Sequence, residues 1–410
     1  MTPHVFFLTL PLKFVYNQGK IVADLKWYEE PLEPMDEDRA REIISKVIKS
    51  PNKRLIGLEP TSELAAVGLF SGIPYSRDDW KDVGPGHILF SEVPGTGKTD
   101  LARTMAESID SRFSFIACHP EMKHSDLFGG DMLNKQTGNF FHYDGPVYAH
   151  ILLEDEANRA SPKTQSFTLQ IMEERVAITS QISTTLQKVV NMVRPLFPVK
   201  DGSGRTIFWV LATVNPVEQE GTYPIPEAQL DRFMLRLRIN SLTREQEMTV
   251  RATNLQNPFG SYREAPKIEK VTNPAEVYSI IRFIGRNITP IEQTPKVNGY
   301  MQSLVENTRP FNPNRPVNPD RPDATSELKK YIDKHVKIDG GLSTRANIYY
   351  EAAVRTLAFF RKKKQITANE LRDLAVPALA HRLQLKSSTK GLGITQEDVI
   401  RKVLEGTKPC

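Results

Sequence analysis

A strand that runs directly into a glycine turn and then a helix leaves a chain few folds to adopt, and residues 88–109 have that form. Ile88-Leu89-Phe90-Ser91 is a short apolar run, Pro94-Gly95-Thr96-Gly97 cannot continue it, and Leu101, Ala102, Met105, Ala106 and Ile109 then recur at helical spacing. In such a turn successive backbone N–H groups converge on one hollow. The helix beyond adds the positive end of its dipole, so the segment suits phosphate. Pro94, Gly95, Thr96 and Gly97 are read as the cradle, and Lys98 as the group that reaches the terminal phosphates. Thr99 offers a hydroxyl to Mg²⁺, and Asp100 completes the binding stretch. Glu92 is a departure, because the usual pattern has glycine four residues before Thr96. The competing reading is a glycine turn that binds nothing, and placement between strand and helix weighs against it.

Some fifty residues on, Ile151-Leu152-Leu153 runs into Glu154-Asp155-Glu156. Acids at the end of an apolar strand stand at the carboxyl edge of a sheet, where open α/β sheets bind ligands. Asp155 is read as the Mg²⁺ carboxylate, acting mostly through water, and Glu156 as the general base on an attacking water. Alone, such a run is as well explained by a solvated strand end; the phosphate loop upstream decides between the two. A third strand, Phe208-Trp209-Val210-Leu211-Ala212-Thr213, leads to Val214-Asn215-Pro216. An amide at that edge orients a water or binds the terminal phosphate, although Asn-Pro also starts turns.

The rest of the chain arranges itself around these segments. Phe6 to Tyr16 and Ile21 to Trp27, joined through Asn17-Gln18-Gly19-Lys20, predict a hairpin, and Asp36 to Ser50 predicts a helix with Ala40, Ile43, Ile44, Val47 and Ile48 on one face. Ser62 to Ile73 predicts a second helix. Apolar runs at His87–Phe90, Phe113–Cys118, Tyr148–Leu153, Ile207–Thr213 and Phe233–Ile239, separated by helical stretches, predict a parallel sheet covered on both faces. Past Arg244 helical patterns dominate. Thr367 with Glu370 and Thr395 with Asp398 mark two helix starts, and Ile366 with Leu371 fits a hydrophobic staple. Pro310, Pro313, Pro316, Pro319 and Pro322 recur every third residue, as polyproline II requires; a stiff surface loop and a ligand for an aromatic groove both fit.

Composition narrows the class. Charged residues at 25% and hydrophobic ones at 39% are ordinary for a globular chain. A net charge of +5 over 410 residues is too weak to indicate nucleic acid or a membrane surface. Two cysteines, Cys118 and Cys410, make no disulfide framework, and the apolar run Val5–Leu12 is too short to span a bilayer. A soluble, cytoplasmic protein is expected.

Taken in order, several motifs resemble the MoxR-type AAA+ ATPases. They are Gly95-Thr96-Gly97-Lys98-Thr99, Gly145-Pro146-Val147-Tyr148, Leu152 through Ala160, Lys163-Thr164-Gln165-Ser166 and Met172-Glu173-Glu174-Arg175. Ala212-Thr213-Val214-Asn215-Pro216, Pro226 through Phe233 and Gly341-Leu342-Ser343-Thr344-Arg345-Ala346 continue the series, so the resemblance covers roughly residues 55–385. It implies an α/β AAA+ P-loop core, a five-stranded parallel sheet flanked by helices, followed by a C-terminal helical lid. The implied division is a hairpin-plus-helix extension at 1–50, the ATP-binding core at 51–240, a lid at 241–390 with a proline-rich insertion at 308–323, and a terminal helix and tail at 391–410. It also implies ATP with Mg²⁺, bound between subunits of a ring, usually a hexamer. Asn215 matches sensor one, Arg232 the arginine finger and Arg345 the sensor-two arginine, while Ile56 and Gly57 lie where the family packs against adenine. Leu133 to Gly145, turning at Gln136-Thr137-Gly138-Asn139, matches an insert that projects from the ring, and Val176 to Thr206 a long hairpin before the sensor-one strand.

The leading expectation is therefore a Mg²⁺-dependent ATPase ring that remodels or activates a protein client, with a von Willebrand factor A domain protein as the partner type implied by the resemblance. A DNA-directed AAA+ motor is the alternative from another class. The weak charge and the lack of a basic stretch interleaved with aromatics count against it, and Arg361-Lys362-Lys363-Lys364 reads better as a helix-end cluster. A third possibility is an ATP-gated scaffold with little hydrolysis, favoured by Glu92 alone.

Overall fold

The computed structural model describes residues 14–17, 20–23, 35–74, 83–91, 97–174, 176–183, 188–195, 207–215, 221–239, 242–256, 266–313 and 323–409. Five strands, β1 (His87–Ser91), β2 (Phe113–Ala117), β3 (Ile151–Asp155), β4 (Trp209–Val214) and β5 (Phe233–Arg238), form one sheet in the order β5-β1-β4-β3-β2. Every pairing in it is parallel. The strands start and stop within a few residues of the apolar runs, except that β3 begins only at Ile151, after buried but irregular Val147–Ala149.

All residues of β1 and β4 are buried, as a parallel sheet covered on both faces demands. Alternate residues enter two separate cores. Ile88, Phe90, Leu153, Trp209 and Leu211 join one, and Leu89, Leu152, Val210 and Ala212 join the other. The first core takes helices α1 (Glu37–Lys49), α2 (Glu59–Phe70) and α3 (Lys98–Glu107) through Val47, Ala66 and Met105; the second takes α4 (Pro162–Glu174) through Ile171 and Met172. The second helix starts three residues before the expected Ser62, because Pro60 belongs to its first turn, where a missing N–H costs nothing. It also ends at Phe70, short of Ile73, which pairs instead with Gly84 in a small antiparallel bridge.

Three antiparallel hairpins stand outside the sheet. Phe14–Asn17 pairs with Lys20–Ala23, and the remainder of the expected N-terminal hairpin lies outside the described residues. Gly129–Leu133 pairs with Phe140–Asp144 around the expected turn, and Val176–Ser183 pairs with Lys188–Pro195. Residues 184–187, 196–206 and most of the proline series, 314–322, lie outside the described residues.

The C-terminal part is helical. Its helices include Pro274–Asn287, Pro295–Glu306, Ser326–His335, Thr344–Phe360, Ala368–Leu379 and Gln396–Gly406. The capping boxes at Thr367/Glu370 and Thr395/Asp398 are present, and Ile366 and Leu371 are both buried. Three of the four cations after Phe360 form ion pairs: Arg361 with Glu370 and Asp373, Lys363 with Glu370, and Lys364 with Glu37. Among the described residues no helix is long and apolar enough to cross a membrane.

Arg382 ties this helical part to the sheet. Its side chain is 1% exposed, and its guanidinium donates to Ala378 O (3.1 Å), Asp231 O (2.8 Å), Asp231 Oδ1 (2.6 Å) and Phe233 O (2.7 Å). Removing one partner from a buried, fully bonded charge strands the others. Arg382→Met is therefore expected to lower the urea unfolding midpoint by the equivalent of about 3 kcal/mol. An unchanged midpoint would show that this seam does not stabilise the fold.

Candidate active site

The carboxyl ends of β1, β3 and β4 bring most of the expected residues to one place. Gly97, just before α3, has φ +82°, the left-handed region that glycine enters without strain. Pro94, Gly95, Thr96 and Glu92 lie outside the described residues. Lys98 is 6% exposed, and its Nζ donates to Val214 O (3.0 Å) and Asn215 Oδ1 (2.8 Å). Asp100 sits in the first turn of α3, where the helix dipole favours an acid. Leu55 and Leu58 stand 3.8 and 3.6 Å from where a Cβ on Gly97 would be, so the residues flanking Ile56-Gly57 lie beside the helix end of the loop. Gly57 itself has φ +78°, and a Cβ there would strike the Gln246 side chain.

Asp155 Oδ1 accepts from both Thr99 Oγ1 (2.7 Å) and Thr213 Oγ1 (2.6 Å). The Thr213 hydroxyl also accepts from the Glu156 amide at 2.9 Å. Glu156 adopts φ +53°, an outlier for a residue with a Cβ, and the turn directs its carboxylate to Asn215, whose Nδ2 donates to Oε1 at 2.7 Å. Arg159 Nε lies 3.0 Å from the other carboxylate oxygen. Asn158 holds the Asn215 backbone on both sides, accepting from its N–H (3.3 Å) and donating to its C=O (3.0 Å). Thr213 and Asn158 are positioning groups that the sequence reading quoted inside motifs without giving them a role.

No group of three His, Cys, Asp or Glu side chains among the described residues could hold a metal ion by itself. A phosphate-bound Mg²⁺ needs no such group: one hydroxyl, one carboxylate, phosphate oxygens and water fill six positions. Thr99 and Asp155, already 2.7 Å apart, fit that donor set.

Arg232 and Arg345 are not in this cluster. Both bind Glu173 of α4, and Arg345 also pairs with Asp231 at 3.5 Å. Cys118 and Glu154, close to this sheet edge, are perturbed. Burial and then the carboxylates of Glu154, Asp155 and Glu156 push the Cys118 thiol up, which leaves it inert as a nucleophile. Glu154 is 2% exposed and is bonded by Thr168 Oγ1 at 3.1 Å; burial pushes its carboxyl up to about 7 against that hydrogen bond.

Residues 87–235 match the ATPase family associated with various cellular activities (AAA), and residues 331–403 match the AAA lid domain. The uncharacterized protein YeaC of Bacillus subtilis is 28% identical over 382 residues, which is 93% of this chain and 97% of that one. Chaperone MoxR1 of Mycobacterium tuberculosis is 26% identical over 362 residues, 88% of this chain and 81% of its own. A crystal structure of an ATPase candidate from Cytophaga hutchinsonii superposes with a TM-score of 0.67 at 28% identity, covering 91% of this chain and 96% of that one.

The raised Glu154 carboxyl gives a pH test. A group whose folded value lies above its unfolded value contributes stability that is complete below the unfolded value, here 4.5, and is lost as pH rises through the folded one. Without Mg²⁺, wild type should therefore lose more unfolding free energy than Glu154→Gln between about pH 5.5 and about pH 8.5, by at most on the order of 2 kcal/mol. A difference that stays flat across that range would mean Glu154 does not change protonation there.

Proposed function

Since the chain belongs to the MoxR-type AAA+ ATPases, we propose that it hydrolyses ATP with Mg²⁺ as an oligomeric ring, a hexamer, that remodels or activates a protein client in the cytoplasm. The observation that carries this reading is the convergence of Lys98, Thr99, Asp155, Glu156 and Asn215 on one sheet edge. Residues 51–240 serve as the ATP-binding core and 241–390 as the lid.

Lys98 exchanges its two neutral acceptors for terminal phosphate oxygens, a charge-assisted and stronger pairing. Thr99 and Asp155 hold Mg²⁺, which when bound neutralises phosphate charge. Glu156 accepts the proton of the attacking water, and Asn215 keeps that carboxylate aimed. Ile56 and Gly57 pack against the base. Arg232 stabilises the charge on the neighbouring subunit's transferring phosphoryl group, and Arg345, as the sensor-two arginine, contacts the nucleotide and couples the lid to its phosphate state. The client is a protein, with a von Willebrand factor A domain partner as the type to test first. Arg361, Lys363 and Lys364 are ion-paired, which offsets much of the positive charge there that DNA would need.

Glu156→Gln should abolish steady-state hydrolysis, by about a hundredfold or more, while calorimetry still detects ATP uptake. Lys98→Ala should lose that uptake, and equal uptake by both proteins would refute the phosphate loop. Arg232→Ala should cost about a thousandfold in turnover with binding nearly intact. Mixing it with Glu156→Gln should restore activity, because each protein supplies what the other lacks at a shared site. Mixtures as inactive as their parents would refute sharing.

A further inference from the structure

Glu173 makes a contact that the proposed chemistry does not use. One carboxylate oxygen accepts from Arg232 Nε at 3.1 Å and from Arg232 Nη2, and the other accepts from Arg345 Nη2 at 2.7 Å. The third guanidinium nitrogen of Arg232 donates to Ala228 O at 2.5 Å. Arg345 Nη1 reaches Asp231 Oδ2, and Asp231 Oδ1 accepts from both Ser343 Oγ at 3.2 Å and Arg382 Nη1. Three parts of the chain therefore meet on one side chain: α4, the turn before β5, and the N-terminus of the lid helix Thr344–Phe360.

Two guanidiniums brought together repel unless an anion lies between them. Glu173 and Asp231 supply two negative charges against three positive ones from Arg232, Arg345 and Arg382, so the cluster keeps one positive charge in excess. A phosphate oxygen presented from outside is what such an excess attracts. Burial works to raise the Glu173 carboxyl, but the hydrogen bonds and charges of Arg232 and Arg345 outweigh it and hold the group below its ordinary value. Glu173 is 44% exposed, so the contact adds little to folding stability. Its effect is on geometry.

We propose that Glu173 is a positioning residue that holds Arg232 and Arg345 as one unit, so that a movement of the lid carries the finger arginine with it. The proposal rests on the shared-site reading above. Glu173→Gln keeps the shape and removes the charge. It is expected to lower kcat about tenfold while KM for ATP stays within about twofold, a split that a general loss of fold does not produce. In an Arg345→Ala background the same change should cost less than about twofold, because the link it would break between Arg232 and Arg345 is already gone. An unchanged kcat, or a full tenfold loss in both backgrounds, overturns the proposal.

A second measurement needs no hydrolysis. In nucleotide-free protein, backbone amides of residues 343–347 should exchange hydrogen faster in Glu173→Gln than in wild type, with those of 162–170 unchanged. Equal exchange at 343–347 overturns the clamp. If wild type hydrolyses no ATP, or Arg232→Ala turns over at full rate, the shared-site reading fails instead, and this exchange result decides the clamp by itself.

Discussion

Strand Trp209–Val214 is hydrogen-bonded in parallel to His87–Ser91 on one side and Ile151–Asp155 on the other, and the site depends on that register. Ala212 lies opposite both Leu89 and Glu154. One residue on, Thr213 therefore arrives beside Asp155, and two further on Asn215 arrives between Lys98 and Glu156. A shift of one residue would turn these side chains to the opposite face and put the hydrophobic set in their place. Burial of both faces of β1 and β4 forbids that shift, so the apolar core is what sets the geometry of the candidate site.

The polar groups at this edge form a chain from the lysine to the proposed base. Lys98 bonds Asn215, Asn215 bonds Glu156, and the Glu156 amide bonds the Thr213 hydroxyl that in turn bonds Asp155. Asn158 fixes the middle of the chain through the Asn215 backbone. Because the lysine is held by a carbonyl and an amide oxygen, an incoming phosphate displaces weaker acceptors with a stronger one. Moving Lys98 away frees Asn215 Oδ1, and the amide that orients Glu156 is then coupled to whether phosphate is present.

The parts of this site that were legible in the sequence are those built from neighbours along the chain. The glycine turn, Lys98, Thr99 and the Asp155-Glu156 pair follow from local spacing, and so do the capping boxes at Thr367 and Thr395. Thr213, Asn158 and Glu173 act across strands or between elements, at separations of 57 to 172 residues, and no local pattern marks them. The hairpin at Gly129–Asp144 shows the opposite limit. Its apolar flanks predicted strands correctly, yet Met132, Leu133, Phe140, Phe141 and Tyr143 are all exposed, so apolar residues there report strand formation without burial. The helix expected from Ser62 starts at Glu59 instead, because Pro60 is tolerated in a first turn.

Arg232 is flanked on both sides by the attachment of the helical part to the sheet. Arg382 binds Asp231 before it and Phe233 after it, and His381 also meets the Phe233 carbonyl at 3.0 Å, with burial driving that imidazole toward its neutral form. A backbone held at both neighbours leaves the arginine between them only its own side-chain torsions. Its guanidinium is then held by Ala228 and Glu173. Arg232 is thus placed by the same bonds that seat the lid, and a ligand that tilts one moves the other without any longer pathway between them.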